Sequence, residues 1–260
     1  MLDKAIKDFI SGLKLYHVWV YQAYHDISAK YKRTFLGSLW ISGQTVATSI
    51  ALSLIFGGIF GSTLRETLPY IMGGIICFGL CSFMLTDAVE IFIRSAGIIR
   101  NHANPFSYYI LEAVARNFFL FLHNIVVYYL LMLAIGALKV PDLLIIPGII
   151  INLVNMLAWG TVGAMVASRF RDMRYLLPYI SHIMYFMTPI FWHIGQLHGP
   201  RSHYAQFNPF YGLLEIIRSP MLGLQPPEHC WSLAIGTMAT GVVMWALFFS
   251  LFRRRIPFWL

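Results

Sequence analysis

The chain has 260 residues, of which 58% are hydrophobic and 12% are charged, and its formal net charge is +8. This composition excludes a soluble globule, because so little polar surface could not cover one, and several apolar runs approach the roughly 20 residues that cross a bilayer. Basic residues cluster at the ends of these runs without the interleaved aromatics of a nucleic-acid surface, so no nucleic-acid partner is expected. We therefore expect one integral membrane protein of the all-α class.

Residues 1–38 form a separate interface and gate region. Apolar side chains recur at steps of three and four from Leu2 to Ile27, with lysines between them, which is typical of an amphipathic helix. The segment is too charged to span a membrane. We expect it to lie on the cytoplasmic membrane surface with its apolar face down.

Residues 39–260 form the membrane domain, and their apolar runs predict six transmembrane helices. The predicted spans are 39–60, 68–91, 113–138, 145–168, 175–192 and 231–252. With six crossings, the two termini lie on the same side of the membrane.

The distribution of Lys and Arg orients these spans. Of the 19 Lys and Arg residues, four fall in the predicted outer connections, and the other fifteen precede the first span, follow the last, lie in inner connections or, as Arg116 does, lie at the inner end of a span. The four are Arg65, Lys139, Arg201 and Arg218. Because basic flanks are retained on the cytoplasmic side, both termini are expected there.

The connection at 193–230 is the longest on the outer side and is rich in proline, glycine and aromatic residues. Within it, residues 209–222 have helical apolar spacing but are too short and too charged to cross. They predict a re-entrant or interfacial helix between spans 5 and 6. Backbone at that depth must line a cavity or be buried in protein.

Few patterns in the chain indicate chemistry. Gly-rich phosphate-loop spacing with a following lysine is absent, so no nucleotide is expected on this chain. Three histidines recur every five residues, a step that does not place them on one helical face, and no metal site is expected. They are His193, His198 and His203.

Asp87 and Glu90 are the two acids in the body of a predicted span. A carboxylate at mid-bilayer costs roughly 3 kcal/mol, so these side chains should lie near the interface or pair with Arg94, one turn from Glu90. A membrane-embedded enzyme that uses both acids is the alternative function of a different class.

Six stretches of sequence together resemble the permeases of ABC-2 type transporters. They are YKRTFLGSLW at 31–40, IRSAGIIRNHANPF at 93–106, RFRDMRYLLPYI at 169–180, TPIFW at 188–192, NPFYGLLEIIRSPMLG at 208–223 and RRRIPFWL at 253–260. Their order covers nearly the full length. Within that family the chain most resembles permeases that export bacterial polysaccharide, and the terminal stretch favours the O-antigen branch over capsule.

The resemblance implies a transport subunit that is not an enzyme and lies in the bacterial cytoplasmic (inner) membrane. It implies a homodimer with two separate ABC ATPase subunits, which would hold the ATP and Mg²⁺. The cargo would be polysaccharide on a polyprenyl-diphosphate lipid, passing through a channel at the dimer interface. Capsular polysaccharide, teichoic acid or a drug are alternative cargoes.

The resemblance also implies roles for particular residues. A cytoplasmic coupling segment at 93–106 would dock on the ATPase through Arg94, Arg100, Asn104 and Pro105. A cytoplasmic entrance, where compact positive charge suits a diphosphate, would be formed by Lys30, Lys32, Arg33, Leu36, Gly37 and Trp40; contact with lipid headgroups is the alternative role for these residues.

Aromatic side chains in the third span and just before it could stack on sugar rings in a channel, or could belong to the interfacial belts of any membrane protein. The candidates are Tyr108, Tyr109, Phe118, Phe119, Tyr128 and Tyr129. Because adjacent rings on a helix point in different directions, at most part of each pair can line a channel. On the exit side, the resemblance singles out Asn208, Pro209 and Arg218.

Overall fold

The computed structural model describes residues 2–32, 34, 35, 37, 39–196 and 206–260, and within them the chain is helical, without strands. The α-helices of these residues are α1 (Leu2–Lys14), α2 (Tyr16–Tyr31), α3 (Leu39–Phe60), α4 (Leu64–Ser82), α5 (Ile91–Arg94), α6 (Ala96–Asn101), α7 (Phe106–Ala134), α8 (Ile145–Arg169), α9 (Met173–Met187), α10 (Pro209–Met221), α11 (Glu228–Phe252) and α12 (Ile256–Trp259). Short 3₁₀ helices cover Asp87–Glu90, Ile194–Gln196 and Arg253–Arg255.

Five helical segments of the described residues are long and apolar enough to cross a membrane by length and composition. They are Leu39–Phe60, Leu64–Arg94, Phe106–Ala134, Ile145–Arg169 and Glu228–Trp259. Each overlaps one of the predicted spans. Among the starts of these segments, the largest difference from prediction lies at α7, which begins at Phe106 rather than at residue 113, directly after the extended backbone of Pro105.

The fifth predicted span, 175–192, coincides with the shorter helix α9. Its 15 residues rise about 22 Å, less than the hydrocarbon thickness. The helix ends at Met187 because Thr188 precedes Pro189, and a residue before proline is driven into the extended backbone that Thr188 adopts. Residues 188–192 therefore follow α9 in a non-helical conformation.

The helices α8 and α11 run side by side in the same direction. Trp159 of α8 donates its indole N–H to the carbonyl of Thr237 at 3.0 Å, and one turn further Gly241 leaves room for the same ring. Farther along, Arg169 and Phe252 border one cleft. We call the end of the bundle at which both helices finish the basic end, and the opposite end the α10 end.

The remaining contacts assign the other helices to these ends. Arg174 at the start of α9 pairs with Glu90, beyond the end of α4, whereas Thr188 after α9 contacts Asn208 beside α10. The residues described near the two termini both lie at the basic end, where Arg253 pairs with Asp8. Thus α9 connects the two ends of the bundle, as a crossing would.

The core lies along α4 and α10. In α10 every residue from Phe210 to Met221 is buried, although the helix is too short to cross a membrane. Gly148 of α8 allows this approach, since a Cβ there would overlap the carbonyl oxygen of Ile216. Burial within protein is the condition that irregular backbone at membrane depth requires.

The predicted span 68–91 is not one continuous α-helix. The helix α4 ends at Ser82, and a tight turn leads into the 3₁₀ helix Asp87–Glu90. The turn packs against a notch in α8, where Cβ atoms on Gly160 and Gly163 would lie 3.2 Å from the Phe83 ring and 3.1 Å from the Met84 carbonyl oxygen. The small residues of a neighbouring helix, which periodicity does not reveal, accommodate this break.

The amphipathic segment is two helices rather than one. The chain bends at Leu15, between α1 and α2, where the Gly12 carbonyl accepts the Leu15 N–H and the Trp19 indole N–H. In a continuous helix the Gly12 carbonyl would accept the backbone N–H of Tyr16, whereas here these two donors take its place. On α1 an apolar stripe remains exposed, formed by Leu2, Ile6, Ile10 and Leu13.

Candidate functional site

The predicted coupling segment, 93–106, forms a small projection at the basic end. It contains the last residues of α5, the short helix α6 and the non-helical residues 102–105. Ile99 is buried and holds α6 to the bundle, whereas Arg94, Arg100 and Asn104 are exposed. The segment therefore presents two arginines on an anchored surface helix.

The projection is tied to α1 through Asp8. Its carboxylate accepts the backbone N–H groups of Phe106 at 3.4 Å and Ser107 at 3.1 Å, and the Ser107 hydroxyl at 2.8 Å. These are the N–H groups that the first turn of α7 leaves without helical partners, and the preceding Pro105 offers no side-chain cap. Asp8 thus caps α7 from another helix.

Arg253, after α11, completes this junction. Its guanidinium lies 3.5 Å from the Asp8 carboxylate and also donates to the backbone carbonyl of Lys4. A cleft of about 350 Å³ opens beside it, and the predicted residues Asn104 and Pro105 form part of its wall. Helix α1, the start of α7 and the end of α11 therefore meet at one polar cluster.

Glu90 is held by two arginines. Arg174 forms a bidentate pair with it, at 2.9 and 3.1 Å, and Arg94 lies at 3.9 Å. The pairing with Arg94 agrees with prediction, whereas Arg174, from a distant part of the sequence, was missed. Asp87 is exposed and forms no ion pair with an arginine among the described residues. The two acids do not share a buried catalytic pocket.

A second cavity at the basic end, of about 440 Å³, lies between α2, α7 and the turn after α4. The predicted entrance residue Lys30 lines it, together with Asp87, Arg94 and Arg116. Arg116 of α7 bonds Glu112 at 2.6 Å and Asp26 of α2 at 3.3 Å. This ion-pair cluster joins α2 to α7, and prediction missed it because Asp26 is far in sequence from Glu112 and Arg116.

The other predicted entrance residues are scattered. Lys32 and Trp40 are exposed, and Gly37 turns the chain with a φ of +54°, in the left-handed region that favours glycine. Arg33 and Leu36 lie outside the described residues. Within the described residues, the cavity gathers Lys30 and leaves Lys32 and Trp40 outside its wall.

The aromatic candidates of α7 divide by burial. Tyr109 and Tyr128 are 4% and 2% exposed and pack inside the bundle, so neither can line a channel between subunits. The rings of Tyr108 and Tyr129 stand nearly perpendicular to these neighbours and are partly exposed. Four candidates keep a partly exposed ring: Tyr108, Phe118, Phe119 and Tyr129.

Two of the three exit-side residues, Asn208 and Arg218, belong to a buried polar cluster at the α10 end, whereas Pro209 is exposed. Asn208 accepts the N–H of Phe210 at 2.9 Å and so caps α10, with Pro209 as the first helical residue. Arg218, 1% exposed, donates to Glu215 and to the Pro189 carbonyl at 2.6 Å.

Its guanidinium also lies 3.8 Å from the centre of the Tyr70 ring of α4. Arg218 therefore joins α10 to α4 and to the chain after α9. Its partners Glu215 and Tyr70 were not predicted; the spacing of Glu215 and Arg218, three residues apart on a helix, was the available signal.

No group of three or more metal-ligating side chains occurs among the described residues, which do not include His198 and His203. The basic end holds the described residues of the predicted coupling segment. Its helices are joined by ion pairs and caps, and its exposed arginines face outward.

Comparison with known proteins adds one match. A family model described as ABC-2 type transporter matches residues 25–222, about three quarters of the chain. The match includes α3 to α10, the coupling segment and Arg218. No curated protein matches the sequence.

Proposed function

The chain belongs to the ABC-2 type transporter family and is a membrane-spanning permease subunit of an ABC exporter, and we propose that it exports polysaccharide carried on a polyprenyl-diphosphate lipid, O-antigen above all. The family match over residues 25–222 carries the transporter assignment. The polysaccharide cargo is supported by the six stretches of sequence that resemble polysaccharide exporters.

We place the basic end in the cytoplasm, so that the coupling segment faces the ATPase and the α10 end faces outward. The excess of Lys and Arg at the basic end supports this orientation. Six crossings follow when α9 is counted, and the location of its two ends at opposite ends of the bundle supports the count. The exposed apolar stripe of α1 supports a place on the membrane surface.

Homodimer formation is supported by the exposed face of α9. Tyr175, Tyr179 and Phe186 are 72%, 65% and 68% exposed, and His182 is exposed on the same short helix. Rings together with a polar imidazole suit a protein or sugar surface better than lipid. This face and the four partly exposed rings of α7 are our candidates for the wall of the channel.

At the entrance, the 440 Å³ cavity is the proposed first contact of the lipid-linked diphosphate. Lys30, Arg94 and Arg116 bring positive charge to its wall, although Asp26 and Asp87 offset part of it. A diphosphate that displaced Asp26 from Arg116 would release α2 from α7. Such an exchange would couple cargo arrival to opening of the entrance.

Two experiments test the proposal. First, a strain that lacks the protein should accumulate lipid-linked glycan at the inner face of the membrane, identified by mass spectrometry. Accumulation of a teichoic-acid precursor or a retained drug instead would assign the alternative cargo.

Second, Arg100→Glu should reduce surface glycan and the amount of ATPase that copurifies, since it reverses charge on the proposed docking surface. Lys139→Glu is the matched control, because it makes the same change of charge on an exposed residue at the α10 end. If both variants export normally and bind the ATPase equally, the docking role of segment 93–106 is wrong.

A further inference from the structure

A cleft of about 230 Å³ lies at the basic end, between the last turns of α8 and α11 and beneath α12. It is separate from the coupling segment and from the entrance cavity. Its wall is formed by Met165, Val166, Arg169, Phe170, Phe248, Phe252, Arg255 and Trp259. Six of these eight side chains are apolar, and the two others are arginines.

The cleft lies near the ends of two candidate membrane spans. Candidate membrane spans end at Arg169 and at Trp259, so the arginines stand at the boundary of two spans. Val166 lies about one turn before Arg169 and Phe248 about two turns before Arg255, so both lie farther inside these candidate spans. A molecule in this cleft would therefore have an apolar part toward the membrane interior and a polar part toward water.

The arginines at its rim differ from their neighbours in their partners. Arg116, Arg174 and Arg253 each contact a carboxylate, whereas among the described residues no carboxylate lies within ion-pair distance of Arg169 or Arg255. Each instead stands over a ring of the cleft, Arg169 over Phe170 and Arg255 over Phe252, at 5.6 Å from the ring centre. Their N–H donors are exposed and available to an anion.

We propose that this cleft binds an anionic phospholipid. Its phosphate would accept hydrogen bonds from Arg169 and Arg255, because the planar guanidinium matches phosphate oxygens. One acyl chain would lie against Val166, Phe248 and Phe252. A basic pocket between transmembrane helices is a recurrent form of site for such headgroups.

Bound lipid would also fix α12 against α8. Trp259 of α12 faces the cleft together with Phe252, and their ring centres lie 6.1 Å apart. Trp259 also lines a second, smaller cavity together with Ala96 of α6, the helix of the coupling segment. An anionic lipid would thus stabilise the surface from which the coupling segment projects.

The test uses the purified full-length protein and native mass spectrometry in detergent, with dioleoylphosphatidylglycerol and dioleoylphosphatidylcholine as probes. We expect phosphatidylglycerol to be retained in preference to phosphatidylcholine. The double variant Arg169→Gln/Arg255→Gln should lower its retention about tenfold, the equivalent of one charge-assisted hydrogen bond or more. Arg254→Gln is the matched control, since Arg254 is an exposed neighbour outside the cleft wall.

A second variant tests the apolar part without a change of charge. Val166→Phe fills the cleft and should lower retention of phosphatidylglycerol while leaving both arginines in place. This variant also keeps the proposal testable if the double variant does not fold. Equal retention of the two lipids, a loss in Arg254→Gln as large as in the double variant, or full retention in Val166→Phe would each overturn the proposal.

The readout is lipid retention and involves no transport. Failure of the lipid site would therefore leave the proposed export function intact, and a deletion strain that accumulated no lipid-linked glycan would contradict the export function and leave the lipid site intact.

Discussion

Asp8 of α1 and Ser107 of α7, almost one hundred residues apart in sequence, form two hydrogen bonds through the Asp8 carboxylate, at 2.8 Å to the hydroxyl and 3.1 Å to the backbone N–H. The same carboxylate pairs with Arg253. The contact is close because α1 has a glycine at position 12, where a Cβ would lie 2.5 Å from the Ser107 hydroxyl oxygen. The Asp8 carboxylate therefore links the end of the coupling segment to α1 and to the residue that follows α11, so a displacement of this segment would strain both contacts.

Removal of this cap is the first prediction. Asp8→Ala should destabilise the protein by about 1 to 2 kcal/mol, the usual cost of a lost N-cap, and should lower export per ATP hydrolysed by the complex. The measurements are thermal unfolding in detergent and the ratio of export to ATPase rate.

The control is Asp3→Ala, which removes a carboxylate of the same helix; among the described residues this carboxylate pairs with Lys7 alone, and both side chains are exposed. Its stability should change little, because exposed pairs contribute at most about 1 kcal/mol. Equal effects of the two variants would contradict a specific role for Asp8.

The second prediction concerns the buried pair at the α10 end. Arg218→Met should destabilise the protein by roughly 3 to 5 kcal/mol, because it leaves the Glu215 carboxylate buried without its charge partner. The double variant Glu215→Leu/Arg218→Met should lose less than the single one, since no charge is then stranded. Thermal unfolding of both proteins checks this, and a double variant that is less stable than Arg218→Met would contradict it.

The third prediction separates Glu90 from Asp87. Glu90→Gln and Arg174→Gln should each lower stability, and a double-mutant cycle should give a coupling of about 1 kcal/mol. Asp87→Asn should leave stability unchanged, since its side chain is exposed and unpaired with any arginine among the described residues. A membrane enzyme that uses both acids would instead lose activity in Glu90→Gln and in Asp87→Asn without loss of stability.

The fourth prediction compares two glycines within long helices. Gly148→Ala should destabilise the contact between α8 and α10, because its Cβ would overlap the backbone of Ile216. A Cβ at Gly236 of α11 would have no atom within 4 Å, so Gly236→Ala should stabilise the protein by up to about 1 kcal/mol through helix propensity. Thermal unfolding should therefore shift in opposite directions, and shifts of the same sign would contradict the packing.

Local patterns were sufficient where a feature depends on one segment. The bounds of α3 agree with the predicted span 39–60, because a run of apolar residues long enough to cross a bilayer is a property of the run alone. The helix at Pro209–Met221 agrees for a similar reason, since Asn208 caps it and proline begins it. The excess of basic residues at one end is also a count along the chain.

Only the tertiary structure decided which distant residues meet. Arg174 with Glu90, Asp26 with Arg116 and Asp8 with Ser107 join segments that no periodicity relates. The end of α4 at Ser82 is likewise a tertiary feature, because the turn that follows packs into a notch of α8 formed by Gly160 and Gly163. Side-chain periodicity records the burial of a residue within its own helix, whereas ion pairs, caps and notches depend on how whole helices approach one another.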